Sequence, residues 1–181
     1  MDGKVEEQGE VIVFTGRGRG KTTAALGLAC RAVGHGKTAV IIHFTGPNHP
    51  ELGDVIATVG LGAKLKTVGI ECQADNPQYL DDFDESVPTL EAALDRASQL
   101  VTGGECDVLV LDDINPLLHQ GSVEAATVID LVSDKPRTTT IILTGPFAPE
   151  ALLKVADMVT DFAVVKPPAD ARIEPRKGLD Y

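Results

Sequence analysis

Residues 15 to 23 read Thr15-Gly16-Arg17-Gly18-Arg19-Gly20-Lys21-Thr22-Thr23. Glycine at every second position lets a backbone curl tightly around an anion without side-chain collisions. If a helix starts where the run ends, its first N–H groups and the positive end of its dipole face the same anion. Lys21 then supplies a point charge for the outer phosphates of a nucleoside triphosphate, and the Thr22 hydroxyl is a ligand for Mg²⁺ or Mn²⁺. Thr15, Arg17, Arg19 and Thr23 complete the candidate phosphate-binding set. One position departs from the strict G-x-x-x-x-G-K-[ST] pattern, because Thr15 stands where its first glycine belongs. A glycine-rich turn that binds nothing is the alternative. The flanks argue against it, since an apolar strand pattern ends at Phe14 and a helical pattern begins near Thr22.

A second cluster follows an apolar run, Val108-Leu109-Val110-Leu111, which ends in Asp112-Asp113. Mg²⁺ prefers oxygen ligands and takes only one or two of them from protein carboxylates. An acid at the end of a buried strand serves this purpose in proteins with such loops. The competing reading is an aspartate that caps a local turn. The residues alone do not say which of the two carboxylates reaches an ion.

These side chains need a scaffold, and the chain offers alternating strand and helix patterns. Strands are expected at 11–14, 38–44, 64–68, 108–111, 139–143 and 159–165. Helices are expected at 22–33, 52–59, 88–101, 122–132 and 149–156. Within them, Ala25, Leu28, Ala29 and Ala32 share one helical face, and Leu90, Ala93, Leu94, Ala97 and Leu100 share another. Gly34-His35-Gly36 ends the first helix, Pro88 suits the first turn of a later one, and Ser122 caps the next. Residues 69–87 read as an irregular loop. The alternation predicts an α/β fold with a mostly parallel sheet and helices on both faces. One domain is expected over 1–181, with a short arm at 1–10 and an irregular tail at 166–181.

Composition limits the partners. The 181 residues carry a formal net charge of -11, which disfavours a general grip on nucleic acid or an anionic membrane. No apolar run approaches the roughly 20 residues that cross a bilayer, and the start of the chain is acidic and polar. Cys30, Cys72 and Cys106 form no C-x-x-C pair and fit a reducing compartment, so a cytoplasmic location is expected. Cys30 and Cys106 read as small buried residues. Residues 71–95 hold acids without lysine or arginine and read as a solvated face. His43 and His49 show no ligand spacing.

The stretch from Thr15 to Lys37 resembles the corrinoid adenosyltransferases of the P-loop type, with their T-G-x-G-K-G-K-T-T-A-A-x-G loop followed by R-A-x-G-H-G. Further matches follow in order. Leu111-Asp112-Asp113-Ile114-Asn115 resembles L-D-E-[IL]-N, and Ile142-Leu143-Thr144-Gly145 resembles I-x-T-G-R. Residues 156–161 resemble A-D-x-V-[TS]-E. Lys166 and Gly178-Leu179-Asp180-Tyr181 resemble the K-H…G-I-[DE]-Y ending.

The resemblance implies a RecA-like sheet, usually in a homodimer, and transfer of the 5′-deoxyadenosyl group of ATP to the cobalt(I) of a corrinoid. The triphosphate leaves, and a corrinoid-reducing flavoprotein is an implied partner. It also implies that Lys21, Arg31 and Asp113 act in catalysis, Arg31 by assisting the phosphates and Asp113 as the metal ligand beside Thr22. A helix-surface ion pair is the plainer role for Arg31. The departures from the family are Asp113 for glutamate, Pro146 for arginine, Pro167 for histidine, Arg176 for glutamine, and the absence of tryptophan. They fall mainly where corrinoid recognition is expected. A non-catalytic module that binds ATP and corrinoid, and an ordinary ATPase or kinase, are the alternatives.

Overall fold

The computed structural model describes residues 8–44, 64–70 and 84–166. The expected helix at 52–59, Cys72, His49, Pro167, Arg176 and the tail motif lie outside them.

Among the described residues seven strands form one parallel sheet: β1 Val11–Thr15, β2 Ala39–His43, β3 Leu65–Ile70, β4 Glu85–Val87, β5 Val108–Asp112, β6 Thr140–Thr144 and β7 Met158–Asp161. Their spatial order is β4-β3-β2-β5-β6-β1-β7. Among the described residues five helices accompany them: α1 Lys21–Gly34, α2 Leu90–Thr102, α3 Ile114–Gln120, α4 Ala125–Ser133 and α5 Glu150–Val155. The continuous apolar runs of β1, β2, β5 and β6 follow from this arrangement, because both faces of a parallel sheet are covered. Alternate strand residues point to opposite faces. Ile12, Phe14, Ile41, Val110 and Ile142 pack with Ala25 and Ala29 of α1. Val13, Ile42, Leu109, Leu111, Ile141 and Leu143 pack with residues of the other four helices.

Several expectations need correction. β4 lies inside the stretch read as a loop. At three residues it is too short for periodicity, and it is set by pairing Glu85, Ser86 and Val87 with Val68, Gly69 and Ile70. Arg96 of α2 ties it down through Glu85, with Nε to Oε1 at 2.9 Å. Helix α3 was not expected at all. Its Pro116 sits in the first turn, where the missing N–H would have had no helical partner anyway. Thr89, not Pro88, opens α2, and its hydroxyl accepts from Ala92 N at 3.1 Å. Helix α4 starts at Ala125 after Glu124, so Ser122 does not cap it. The last strand ends at Asp161 rather than 165. Cys106 is buried, whereas Cys30 is half-buried.

The end of α1 is as expected. His35 follows its last residue and donates back to Arg31 O and Ala32 O, while Gly36 takes φ 86. Asp157 fixes the edge strand, because its carboxylate accepts from Val11 N at 2.7 Å. No described helix is long and apolar enough to cross a membrane.

Candidate functional site

In a parallel sheet every strand ends at the same edge, and crevices at that edge are where such folds bind ligands. Here the edge gathers the glycine loop after β1, the aspartates after β5, the turn after β6 and the residues after β7.

The glycine loop joins β1 directly to α1. Gly16 and Gly20 have φ 94 and 101, values that side-chain-bearing residues rarely adopt. Thr15 is still extended and belongs to β1, so the departure from glycine at this position creates no strain. Its hydroxyl accepts from Ala148 N at 3.2 Å, which binds the loop to the turn after β6. Behind the loop, Phe162 N donates to Thr15 O at 2.9 Å, and Gly18 N donates to Phe162 O at 2.5 Å. A Cβ on Gly18 would lie 2.5 Å from that same Phe162 oxygen, so glycine is needed there for space rather than for φ.

Helix α1 begins after Gly20 with no side-chain cap and no acid in its first turn. Its first N–H groups therefore remain for an outside acceptor. Lys21 folds over the loop, with Nζ donating to Gly16 O at 2.9 Å and Gly18 O at 2.6 Å. Burial pulls its pKa below the usual lysine value, although Asp113, Asp112 and Asp161 pull the other way. Arg17, Arg19 and Thr23 are exposed around the loop.

The two aspartates have different places. Asp112 ends β5 and is buried. Its Oδ1 accepts from Thr22 Oγ1 at 2.8 Å and from Thr144 Oγ1 at 2.6 Å. Its Oδ2 lies 3.3 Å from His43 Nδ1. Burial alone would raise the Asp112 carboxyl, but the hydrogen bond and charge of His43 and the two hydroxyls outweigh it and hold the pKa down. Asp113 is half-buried, with φ 58, and precedes α3. Its N–H donates to Thr144 Oγ1 at 2.9 Å. Among aspartates, Asp113 exerts the largest pull on Lys21.

The structure thus brings together Thr15, Gly16, Gly18, Gly20, Lys21, Thr22 and the Asp112–Asp113 pair. It does not bring Arg31 to them. Arg31 is exposed in the last turn of α1, ten residues after Lys21, or about 15 Å along a helix axis.

Sequence reading missed His43, Thr144, Asn115 and Phe162. His43 pairs in register with Asp112 on the neighbouring strand, and the polar residue ending an otherwise apolar run was the available signal. Asn115 is fully buried and donates from Nδ2 to Phe14 O at 3.2 Å and Gly145 O at 2.9 Å. It therefore joins the end of β1 to the turn after β6.

That turn runs Gly145-Pro146-Phe147, with φ 119 at Gly145 and 63 at Phe147. A Cβ on Gly145 would lie 2.5 Å from Pro116 Cδ. Gly145→Ala is therefore expected to lose at least about 1–3 kcal/mol, the cost of a forced backbone conformation. Urea unfolding of the variant beside the parent protein measures it.

The model of the family described as ATP:corrinoid adenosyltransferase BtuR/CobO/CobP matches residues 7–181. The chain is 28% identical over 179 residues to a corrinoid adenosyltransferase of Escherichia coli strain K12, covering 97% of this chain and 87% of that protein. It is 31% identical over 193 residues to a corrinoid adenosyltransferase of Sinorhizobium, covering 100% of this chain and 84% of that one. A third relative, corrinoid adenosyltransferase CobA of Salmonella typhimurium, is 30% identical, with 97% and 87% covered.

Proposed function

We infer that this chain, which belongs to the ATP:corrinoid adenosyltransferase family BtuR/CobO/CobP, transfers the 5′-deoxyadenosyl group of ATP to the cobalt of a reduced corrinoid. The observation that carries this reading is the arrangement at the sheet edge. An uncapped helix start, Lys21 and the Thr22–Asp112 hydrogen bond meet at one glycine loop.

The cobalt(I) electron pair forms a bond to C5′ as the C5′–O bond breaks, and the triphosphate departs with the electron pair of the broken C5′–O bond. Cobalt becomes formally cobalt(III), and no protein nucleophile is required. The protein's task is to receive the charge that grows on the leaving group. The uncapped N–H groups at the start of α1 and the Lys21 ammonium stabilise that charge, Lys21 by exchanging its hydrogen bonds to Gly16 O and Gly18 O for phosphate oxygens.

The residues present fit a Mg²⁺ ion. Thr22 donates its proton to Asp112, which leaves the hydroxyl oxygen's remaining lone pairs for a cation. Asp113, half-buried and close enough to pull on Lys21, supplies a carboxylate. Thr22 and Asp113 would hold the ion, with Asp112 orienting Thr22. Among the described residues no group of three or more His, Cys, Asp or Glu side chains forms a metal cluster. Mg²⁺ needs none, since it keeps waters and takes phosphate oxygens. When bound, the ion neutralises phosphate charge as the bond to C5′ breaks.

The working unit is a homodimer, a corrinoid-reducing flavoprotein supplies the cobalt(I) form, and the setting is the reducing cytoplasm. An anaerobic assay with ATP, Mg²⁺ and chemically reduced corrinoid tests the activity. The expected result is the spectrum of a cobalt–carbon bond together with one triphosphate per turnover. ADP as the product would replace this reading with γ-phosphoryl chemistry.

A further inference from the structure

Phosphate binding gives Phe147 no task, yet the chain holds it at a cost. Its φ of 63 is one that bulky side chains rarely adopt, and the residue is 46% exposed instead of joining the core. Strain of this kind persists where the surroundings enforce it, and it clusters at ligand sites. Here the enforcement is visible. Pro146 has a fixed φ, Gly145 fits against Pro116, and Asn115 and Thr15 hold the turn from either side. The ring stacks on His119, with centroids 5.1 Å apart and planes 28° apart. The Arg17 guanidinium carbon lies 5.5 Å from the ring centroid. Phe147 also lines a cavity of about 620 Å³ together with Thr15, Gly16, Arg17, Asp161, Ala163 and Val164.

We propose that Phe147 is the stacking platform for the purine base of ATP, at the mouth of the glycine loop. The proposal rests on the reading of that loop as the triphosphate site. Three observations favour the base over the corrinoid. The cavity begins at Thr15, Gly16 and Arg17, so a ring bound there is tethered to phosphates on the same loop. Its volume is that of a site for a drug-sized ligand, far short of a corrin with its amide arms. Its walls combine apolar Ala163 and Val164 with the Asp161 carboxylate, an acceptor suited to an exocyclic amine. Arg17 lies over the ring on an exposed, unbranched side chain, so an entering base displaces it toward the phosphates and takes its place on the aromatic face.

The test uses full-length protein and two ligands, ATP and inorganic triphosphate, each with Mg²⁺ and measured by calorimetry. Phe147→Gly suits the positive φ, so the fold survives. Its ATP affinity is expected to fall roughly 5- to 150-fold, the range for losing one base–aromatic stack, while triphosphate affinity holds. Phe147→Trp is expected to keep ATP affinity. It also places the chain's only tryptophan at the site, where ATP but not triphosphate should quench its fluorescence. An equal fall for both ligands in Phe147→Gly would reduce Phe147 to a support for the loop and overturn the platform. So would unchanged ATP affinity in Phe147→Gly. A parent protein that binds ATP and triphosphate equally well overturns the platform alone. One that binds neither overturns the loop assignment and the platform with it.

Discussion

Asp113→Asn is expected to raise the Mg²⁺ concentration that half-saturates ATP binding by about tenfold or more, equivalent to about 1.4 kcal/mol. Asn keeps the size and tolerates the left-handed backbone that Asp113 adopts at φ 58, so the fold should survive. What disappears is the negative charge proposed as the metal ligand beside Thr22. Metal-free ATP binding should change little or improve, because the same charge repels phosphate. Asp112→Asn should behave differently. Asp112 is an acceptor at both oxygens, toward Thr22, Thr144 and His43. An amide presents N–H₂ to one of these buried partners, so about 1–3 kcal/mol of stability should go, visible in urea unfolding. ATP binding should weaken through a freed Thr22 rather than through a shifted Mg²⁺ requirement. Should that requirement follow Asp112→Asn and stay fixed in Asp113→Asn, the two carboxylates exchange roles. Should it follow neither, the strand end is not the metal site.

The sequence carried the sheet because its strands are buried on both faces. Val11 to Phe14 and Val108 to Leu111 are apolar at every position, and turn signals bound them. The glycine loop was legible for a related reason, since a required backbone shape restricts residue type directly. Less legible were features fixed by tertiary contact. β4 exists because β3 lies beside it, and α3 because the Asp113 backbone turns the chain there. Nothing local announces either. The same holds in the site, where His43 meets Asp112 and Thr15 meets Ala148 only through strand order. Phe147 is the clearest case. Its neighbours in sequence are those of an ordinary turn, and its meaning comes from a backbone angle and from Arg17, 130 residues away.

Lys21→Ala is expected to weaken binding of both MgATP and Mg-triphosphate by at least tenfold, about 1.4 kcal/mol. Arg17 and Arg19 are exposed cations at the rim, whereas Lys21 lies across the loop with its ammonium on the Gly16 and Gly18 carbonyls. It is the cation placed to follow phosphate into the loop. The pH dependence adds a second signature. Burial lowers the Lys21 pKa, with Asp113, Asp112 and Asp161 only partly offsetting it. Bound phosphate favours the ammonium form, so binding draws on a proton that Lys21 gives up more readily than an ordinary lysine does. Affinity should therefore be complete below that lowered pKa and decline as pH rises through it. The decline should start at a lower pH than the usual lysine value of 10.5 would give. Titrations above about pH 8, where the phosphates have lost their last protons, isolate this effect. Lys21→Ala should bind weakly and show no such decline. A folded Lys21→Ala protein with unchanged ATP affinity in calorimetry would remove the glycine loop from the binding site altogether.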